Sequence, residues 1–146
     1  MSIPTDAPGA AMRVTAGVTP DETVRSAAST VQKFTFKEQV DHLLITVGPR
    51  ITAAGAGLRD GRQLPAWRRG DEPREVVRRE RVASMAEVTV AITAEYSAAV
   101  AASFLRSSQP ALDDRSPLMM IREATLDSLP EVMGQVRGAV RAFLKG

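Results

Sequence analysis

The longest run of helical periodicity constrains the fold of this chain more than any other feature. Between Pro73 and Phe104, large apolar residues recur every three or four positions: Val77, Met85, Val88, Ile92, Tyr96, Val100 and Phe104. One uninterrupted helix of that length would be unusual in a globular domain. We therefore predict a break near Ala94 to Ser97, with Ser97 capping a second helix, in a protein of the all-α class.

Helical patterns also lie on either side of this run. We predict a weak helix from Pro20 to Gln32, a firm helix from Phe36 to Val47 and a final helix from Pro130 to Leu144. In the final helix, Gly134 and Gly138 leave two interpretations open: close packing against another element, or simple tolerance on a surface face. Together these patterns predict an all-helical fold.

A short helix, a glycine turn and a second short helix are predicted after the Phe36 helix. The first runs from Pro49 to Ala56, and Gly57 supplies a residue that tolerates positive φ in the turn. Ala53 is small enough to let a neighbouring helix cross closely. With a second helix beginning at Asp60, the segment has the layout of a helix-turn-helix.

Local signals describe the second of these helices. Asp60 with Gln63 three residues later resembles a capping box, and Leu64 and Trp67 supply a buried face. Pro65 would then stand inside the helix and remove a backbone hydrogen bond, which could cost up to about 3 kcal/mol. We therefore expect an irregular helix.

Arginine is concentrated in and after this segment. Between Leu58 and Val82, eight arginines stand against five acidic residues, a local charge of +3 in a chain whose net charge is +2. Four of them are candidate DNA contacts: Arg59, Arg62, Arg68 and Arg69. Arg62 is placed to reach a guanine edge and the others to meet phosphates. Because Pro65 and Ala66 would face the groove without a hydrogen-bonding side chain, we expect phosphate-driven binding that needs a dimer or a complex.

Several classes of function lack the residues they require. The chain has no cysteine and a single histidine, so we expect no disulfide and no metal site. The histidine, His42, falls on the polar side of its helix and is interpreted as a surface residue. No phosphate loop, nucleophile elbow or zinc-protease motif is present, so we expect no catalytic residues, no cofactor and no enzyme. No apolar run approaches a membrane span and no signal peptide is recognisable, which favours a cytoplasmic protein without membrane contact.

The stretch from Ser103 to Glu123 has the clearest helix boundaries. Phe104 and Leu105 form the apolar end of one helix, and Pro110 stops it. Leu112 is the one large apolar residue of the loop and should return to the core. Ser116 and Pro117 then provide an N-cap serine and a first-position proline for the next helix.

This stretch resembles the C-terminal domain of the Xre/ParS-like antitoxins. That family has a Trp-Leu pair ending one helix, a loop with proline and leucine, a glycine, and a Ser/Thr-Pro pair opening the next helix. Phe104-Leu105, Pro110, Leu112 and Ser116-Pro117 occupy these positions, with Phe104 in place of tryptophan and Asp114 where glycine is common. Gly57, Asp60 and Trp67 also match a turn and a late tryptophan in the family's helix-turn-helix.

The resemblance implies a helix-turn-helix-like region over residues 35–93 and a helical toxin-binding domain over residues 94–146, preceded by a flexible arm with a weak helix over residues 1–34. It implies an antitoxin that neutralises a RES-type, NAD-consuming toxin and represses its own operon by binding operator DNA, and we expect a homodimer. In that family the C-terminal segment lies against the toxin's active site. The corresponding residues here are Arg141, Phe143, Leu144, Lys145 and Gly146, with Phe143 and Leu144 as apolar anchors.

Two other functions stay open. The first is a stand-alone helix-turn-helix regulator that dimerises through its C-terminal helices and has no toxin. The second is a structural adaptor, which predicts no mobility shift of promoter DNA even at low salt, where phosphate contacts are strongest. A neighbouring reading frame encoding a toxin-sized α/β protein would favour the antitoxin.

Overall fold

The computed structural model describes residues 17–146, which form eight α-helices and no β-strand. In chain order the helices are α1 (Pro20–Gln32), α2 (Phe36–Thr46), α3 (Pro49–Ala56), α4 (Leu64–Arg68), α5 (Val76–Thr93), α6 (Ala98–Arg106), α7 (Pro117–Glu123) and α8 (Leu129–Lys145). A single 3-10 turn, Pro110–Leu112, lies between α6 and α7. The all-α prediction is confirmed. No helix in this range is both long and apolar enough to cross a membrane.

Helix α5 is the centre of the structure. It packs against α1, α2, α3, α6, α7 and α8, and all of its residues from Ser84 to Thr89 are buried. This buried part of α5 has no polar stripe facing water, because neighbouring helices enclose it, whereas Val76 and Glu80 in the first turns are exposed. The predicted break is also confirmed. Helix α5 ends at Thr93, and the Ser97 hydroxyl accepts the Val100 N–H at 3.2 Å to begin α6.

Polar side chains on α5 are matched by partners from other helices. Glu87 is 9% exposed and receives two hydrogen bonds from the guanidinium of Arg137 on α8, one of them 3.0 Å long. The Thr89 hydroxyl lies 2.7 Å from His42 Nε2 on α2. His42 is therefore half-buried rather than on the surface as predicted, and this burial lowers its pKa below the ordinary value of 6.5.

Helix α1 is better anchored than the predicted arm with a weak helix. Thr19 and Glu22 form a reciprocal capping box, with hydrogen bonds of 2.8 and 3.0 Å. Val24, Ala27 and Val31 are buried in the common core. Residues 17–34 thus belong to the folded body, and the predicted flexibility of residues 1–16 lies outside the described residues. The buried apolar side chains form one cluster, so the predicted boundaries at 34/35 and 93/94 do not separate hydrophobic cores.

Glycines mark one close helix contact and two open positions. A Cβ atom added to Gly55 on α3 would collide with the sulfur of buried Met85 and lie 2.9 Å from Leu118 Cδ1. Gly55 therefore allows α3 to pack closely against α5 and α7. At Gly134 and Gly138 on α8 a Cβ would meet no atom within 4 Å. Tolerance on an open face is thus the interpretation that holds for these two residues.

Candidate functional site

The loop between α6 and α7 is closed by its own backbone. The N–H of Gln109 donates to the carbonyl of Arg115 at 3.0 Å, and the N–H of Asp114 donates back to the carbonyl of Gln109 at 3.0 Å. Asp113 and Asp114 both adopt left-handed conformations, with φ of 55° and 63°. A left-handed backbone is the conformation that glycine adopts with the least strain, so glycine would also suit these two positions.

Leu112 within this loop and Ser116 after it have the positions predicted from the sequence. Leu112 is 2% exposed and its 3-10 turn packs against α8, as predicted. The Ser116 hydroxyl accepts the Met119 N–H at 3.1 Å, and Pro117 is the first residue of α7. The loop therefore couples the start of α7 to the C-terminal helix through one buried leucine.

The five predicted toxin contacts at the end of α8 separate into buried and exposed residues. Leu144 is 7% exposed and lies in the core, so it is not available as an anchor for a partner. Phe143 is half-buried, with its ring 5.3 Å from Tyr96 and 5.1 Å from Phe104.

The other three contacts remain open to solvent at this end of the molecule. Arg141 is 39% exposed and lies 3.5 Å from Asp21 on α1, while Lys145 and Gly146 are exposed. The prediction of Leu144 as an anchor is wrong because periodicity places a residue on an apolar face without saying what covers that face.

The predicted second helix of the helix-turn-helix is much shorter than expected. It begins at Leu64 rather than Asp60, has five residues, and spans about 8 Å. Asp60 does not cap it. The Asp60 carboxylate instead accepts the Arg62 N–H at 3.0 Å in a turn. Pro65 is consequently the second helical residue, where no intrahelical donor is needed, so the predicted energetic cost of proline does not arise.

Other features of this segment agree with the sequence. Gly57 adopts a left-handed conformation with φ of 89° at the end of α3. Leu64 and Trp67 are 3% and 2% exposed, and the Trp67 ring packs edge-on against Phe36 with ring centroids 5.3 Å apart. Helix α4 therefore packs its apolar face against α2. Its exposed face is short and offers little surface for contacts with bases.

The four predicted DNA contacts are all exposed, and two of them line cavities. Arg68 lies 3.8 Å from Asp41 on α2, and Arg69 is exposed just beyond the end of α4. Arg59 and Arg62 lie in the turn before α4 and line a cavity between this turn and α5, and Arg59 also lines an adjoining cavity between the turn, α3 and α7. The fold adds three arginines that the sequence interpretation did not select as contacts, namely Arg50 of α3, Arg78 of α5 and Arg122 of α7.

Arg122 and one further arginine, Arg81, hold this region together by binding carbonyl oxygens. Arg122 donates to the carbonyls of Ala54 at 2.7 Å and Leu58 at 3.2 Å, and Arg81 donates to those of Ala56 at 3.2 Å and Ala124 at 2.7 Å. Three of these carbonyls lie at the C-terminal end of α3 and the fourth lies at the end of α7, positions where a positive charge is favoured by the helix dipole. Sequence reasoning missed them because nothing local pairs residues more than twenty positions apart.

Among residues 17–146, no group of three histidine, cysteine or acidic side chains is arranged to hold a metal ion. Comparison of the chain with protein-family models, with curated proteins and with solved structures found no significant match.

Proposed function

We propose that this chain is the antitoxin of a type II toxin–antitoxin pair and neutralises a RES-type, NAD-consuming toxin by binding it directly. The observation that carries the proposal is the conformation of the loop between α6 and α7. Leu112 is buried, Asp114 is left-handed at the family's glycine position, and Ser116 caps a helix that begins with Pro117. These residues of the loop thus have structural roles that suit the residue types of the family pattern.

The toxin-binding surface in this proposal is the exposed tip of α8. Lys145, Gly146 and the side of Arg141 are open to solvent, while Phe143 and Leu144 fix the direction of the helix from within the protein. The tip presents the positive side chains of Arg141 and Lys145 to the partner. A rigid, charged helix end is suited to enter a cleft, because little conformational entropy is lost on binding.

Co-expression with a RES-type toxin tests the proposal. The full-length chain should restore growth of the host. Lys145→Glu reverses the charge at the tip and should weaken the purified complex by about tenfold or more, the factor produced by about 1.4 kcal/mol of lost contact.

Lys33→Glu is the matched control, because Lys33 is equally exposed and lies at the end of α1 remote from the Asp21–Arg141 contact. Equal protection by both variants would remove the tip of α8 from the interface. Continued toxicity with the full-length chain, and no complex in vitro, would refute the antitoxin function itself.

A stand-alone DNA-binding regulator is the second candidate. It is favoured by the left-handed Gly57 turn between α3 and α4 and by the arginines around that turn. In the antitoxin proposal the same segment represses the operon as a homodimer or in complex with the toxin. The two functions are separated by growth rescue, which a solitary regulator does not provide.

A further inference from the structure

An arginine-lined groove runs between α3, the turn over residues 58–63, and α5. We call it the arginine groove and define it by Arg50, Arg59, Arg62, Arg78 and Arg122. It consists of two adjoining cavities of about 400 and 490 Å³ that share Leu58, Arg59 and Asp60. Its residues come from four separate stretches of the chain, so only the folded protein assembles it.

Positive charge in the groove is incompletely neutralised. Asp60 is the one acidic residue that lines either cavity, and its carboxylate lies 3.4 Å from Arg62 Nε. Arg78 has one partner, Glu75, at 3.6 Å. Both contacts are long, and at least one partner of each is exposed to solvent, so these pairs contribute little energy. Within residues 17–146, Arg50 and Arg59 have no acidic partner within 4 Å.

The base of the groove is fixed by the arginines that bind carbonyl oxygens. The Arg122 guanidinium is held by the carbonyls of Ala54 and Leu58. Arg81 lines neither cavity but binds the nearby carbonyls of Ala56 and Ala124, and its Nε is buried without a hydrogen-bond partner in the described residues. Burial, together with the nearby charges of Arg78 and Arg122, lowers the pKa of Arg81. The groove therefore concentrates positive charge that an anion would stabilise.

We infer that the arginine groove binds a phosphate group. Phosphate fits because guanidinium groups donate paired hydrogen bonds to its oxygens, and several arginines converging on one cavity can spread over more than one oxygen. The same group is offered by duplex DNA along its backbone and by small phosphorylated molecules. The inference concerns a different surface from the tip of α8 and does not depend on the toxin proposal.

Two probes identify the source of the phosphate at low salt. One is a fluorescein-labelled 20-base-pair duplex of random sequence followed by anisotropy, and the other is inorganic pyrophosphate followed by calorimetry. The full chain should bind at least one of them.

The double variant Arg59→Gln, Arg62→Gln should weaken that binding by about tenfold or more, since two charge-assisted hydrogen-bond donors are lost. If DNA is the ligand, the slope of log affinity against log salt should also fall by about 1.8, because two phosphate contacts are lost.

The double variant Arg25→Gln, Arg106→Gln is the matched control. It removes the same charge from exposed positions on α1 and α6. It should change binding of the probe by less than about twofold, as expected for contacts beyond the screening length. Because all four side chains are exposed, circular dichroism and the melting temperature should match those of the parent chain.

Binding of DNA alone assigns the groove to the nucleic-acid backbone and supports the regulator candidate. Binding of pyrophosphate alone assigns it to a small phosphorylated ligand and counts against DNA. Equal losses of affinity in the two double variants would mean that only the net charge of the protein matters, which would overturn the inference. So would the absence of binding to either probe.

Discussion

The carboxylate of Glu87 on the central helix and the guanidinium of Arg137 on the C-terminal helix form a paired, charge-assisted hydrogen bond. Glu87 is 9% exposed, whereas 37% of the Arg137 side chain remains exposed. The hydrogen bonds that the Arg137 guanidinium donates to the Glu87 carboxylate raise the pKa of Arg137. The pair is therefore asymmetric. The buried Glu87 carboxylate depends on Arg137 for its hydrogen bonds, whereas the Arg137 guanidinium can still reach water.

This asymmetry gives the first prediction. Arg137→Met leaves the Glu87 carboxylate buried without a partner and should lower the free energy of unfolding by about 2 kcal/mol. Glu87→Gln removes the charge and leaves Arg137 free to turn outward, so it should cost less than about 1 kcal/mol. Urea denaturation at pH 7 measures both. Equal losses for the two variants would show that the burial difference has no energetic consequence.

A pair of glycine substitutions tests the packing of α3 on α5. Gly55→Ala forces a methyl group against buried Met85 and Leu118 and should destabilise the protein by about 1–3 kcal/mol. Gly134→Ala adds the same methyl group to an open helix face and should stabilise it by up to about 1 kcal/mol through helix propensity. Thermal unfolding measures both effects. The melting temperature of Gly55→Ala should fall below that of the parent chain, and that of Gly134→Ala should rise above it. A stabilised Gly55→Ala would contradict the close crossing.

His42 should make stability depend on pH. Burial beside Thr89 and Phe34 lowers its pKa in the folded state below the unfolded value of about 6.5. Well above pH 6.5, His42 is neutral in the folded and the unfolded state, so it does not lower the free energy of unfolding. As the pH falls further, the unfolded state takes up the proton first, so stability is lost until the pH passes the folded pKa.

Denaturation of the parent chain and of His42→Gln between pH 7.5 and about 5 measures this effect, since glutamine keeps a polar group without titrating in the range. The free energy of unfolding should fall more steeply with acid in the parent. The carboxylates are common to both proteins, so their effect cancels in the difference. Parallel curves would mean that the folded state accommodates the imidazolium ion without cost.

Substitutions at the end of α8 should distinguish residues that stabilise the fold from exposed residues that are free to bind a partner. Leu144→Ala creates a cavity in the core and should cost about 2–5 kcal/mol. Lys145→Ala should change stability by less than about 0.5 kcal/mol, because the side chain is exposed. Calorimetry distinguishes the two. A stable Leu144→Ala protein would return Leu144 to the list of possible partner contacts.

Most helix boundaries could be predicted from the sequence because their signals are local. Ser97 and Ser116 each accept the N–H three residues ahead, as their position before an apolar run indicates. The start of α4 was misplaced because two local signals compete there. Asp60 can cap a helix or close a turn. Pro65 favours a helix that begins at Leu64, because proline is tolerated in the first turn and not further inside a helix.

The polar interior and the arginine groove could not be predicted in the same way. Thr89 and Glu87 are buried because six helices surround α5, and His42 becomes half-buried against Thr89 for the same reason. The groove joins Arg50 and Arg122, which are 72 positions apart in the sequence. Neither arrangement has a periodicity that a single sequence displays, since each depends on how helices meet.

Affinity purification of the tagged, full-length chain from its native host, with the masses of bound proteins read by mass spectrometry, tests the antitoxin proposal most directly. The proposal predicts a RES-domain protein in stoichiometric amount that is lost from the Lys145→Glu variant and retained by Lys33→Glu. Recovery of the chain alone, or with DNA and no RES-domain protein, would contradict it and leave the stand-alone regulator as the better account.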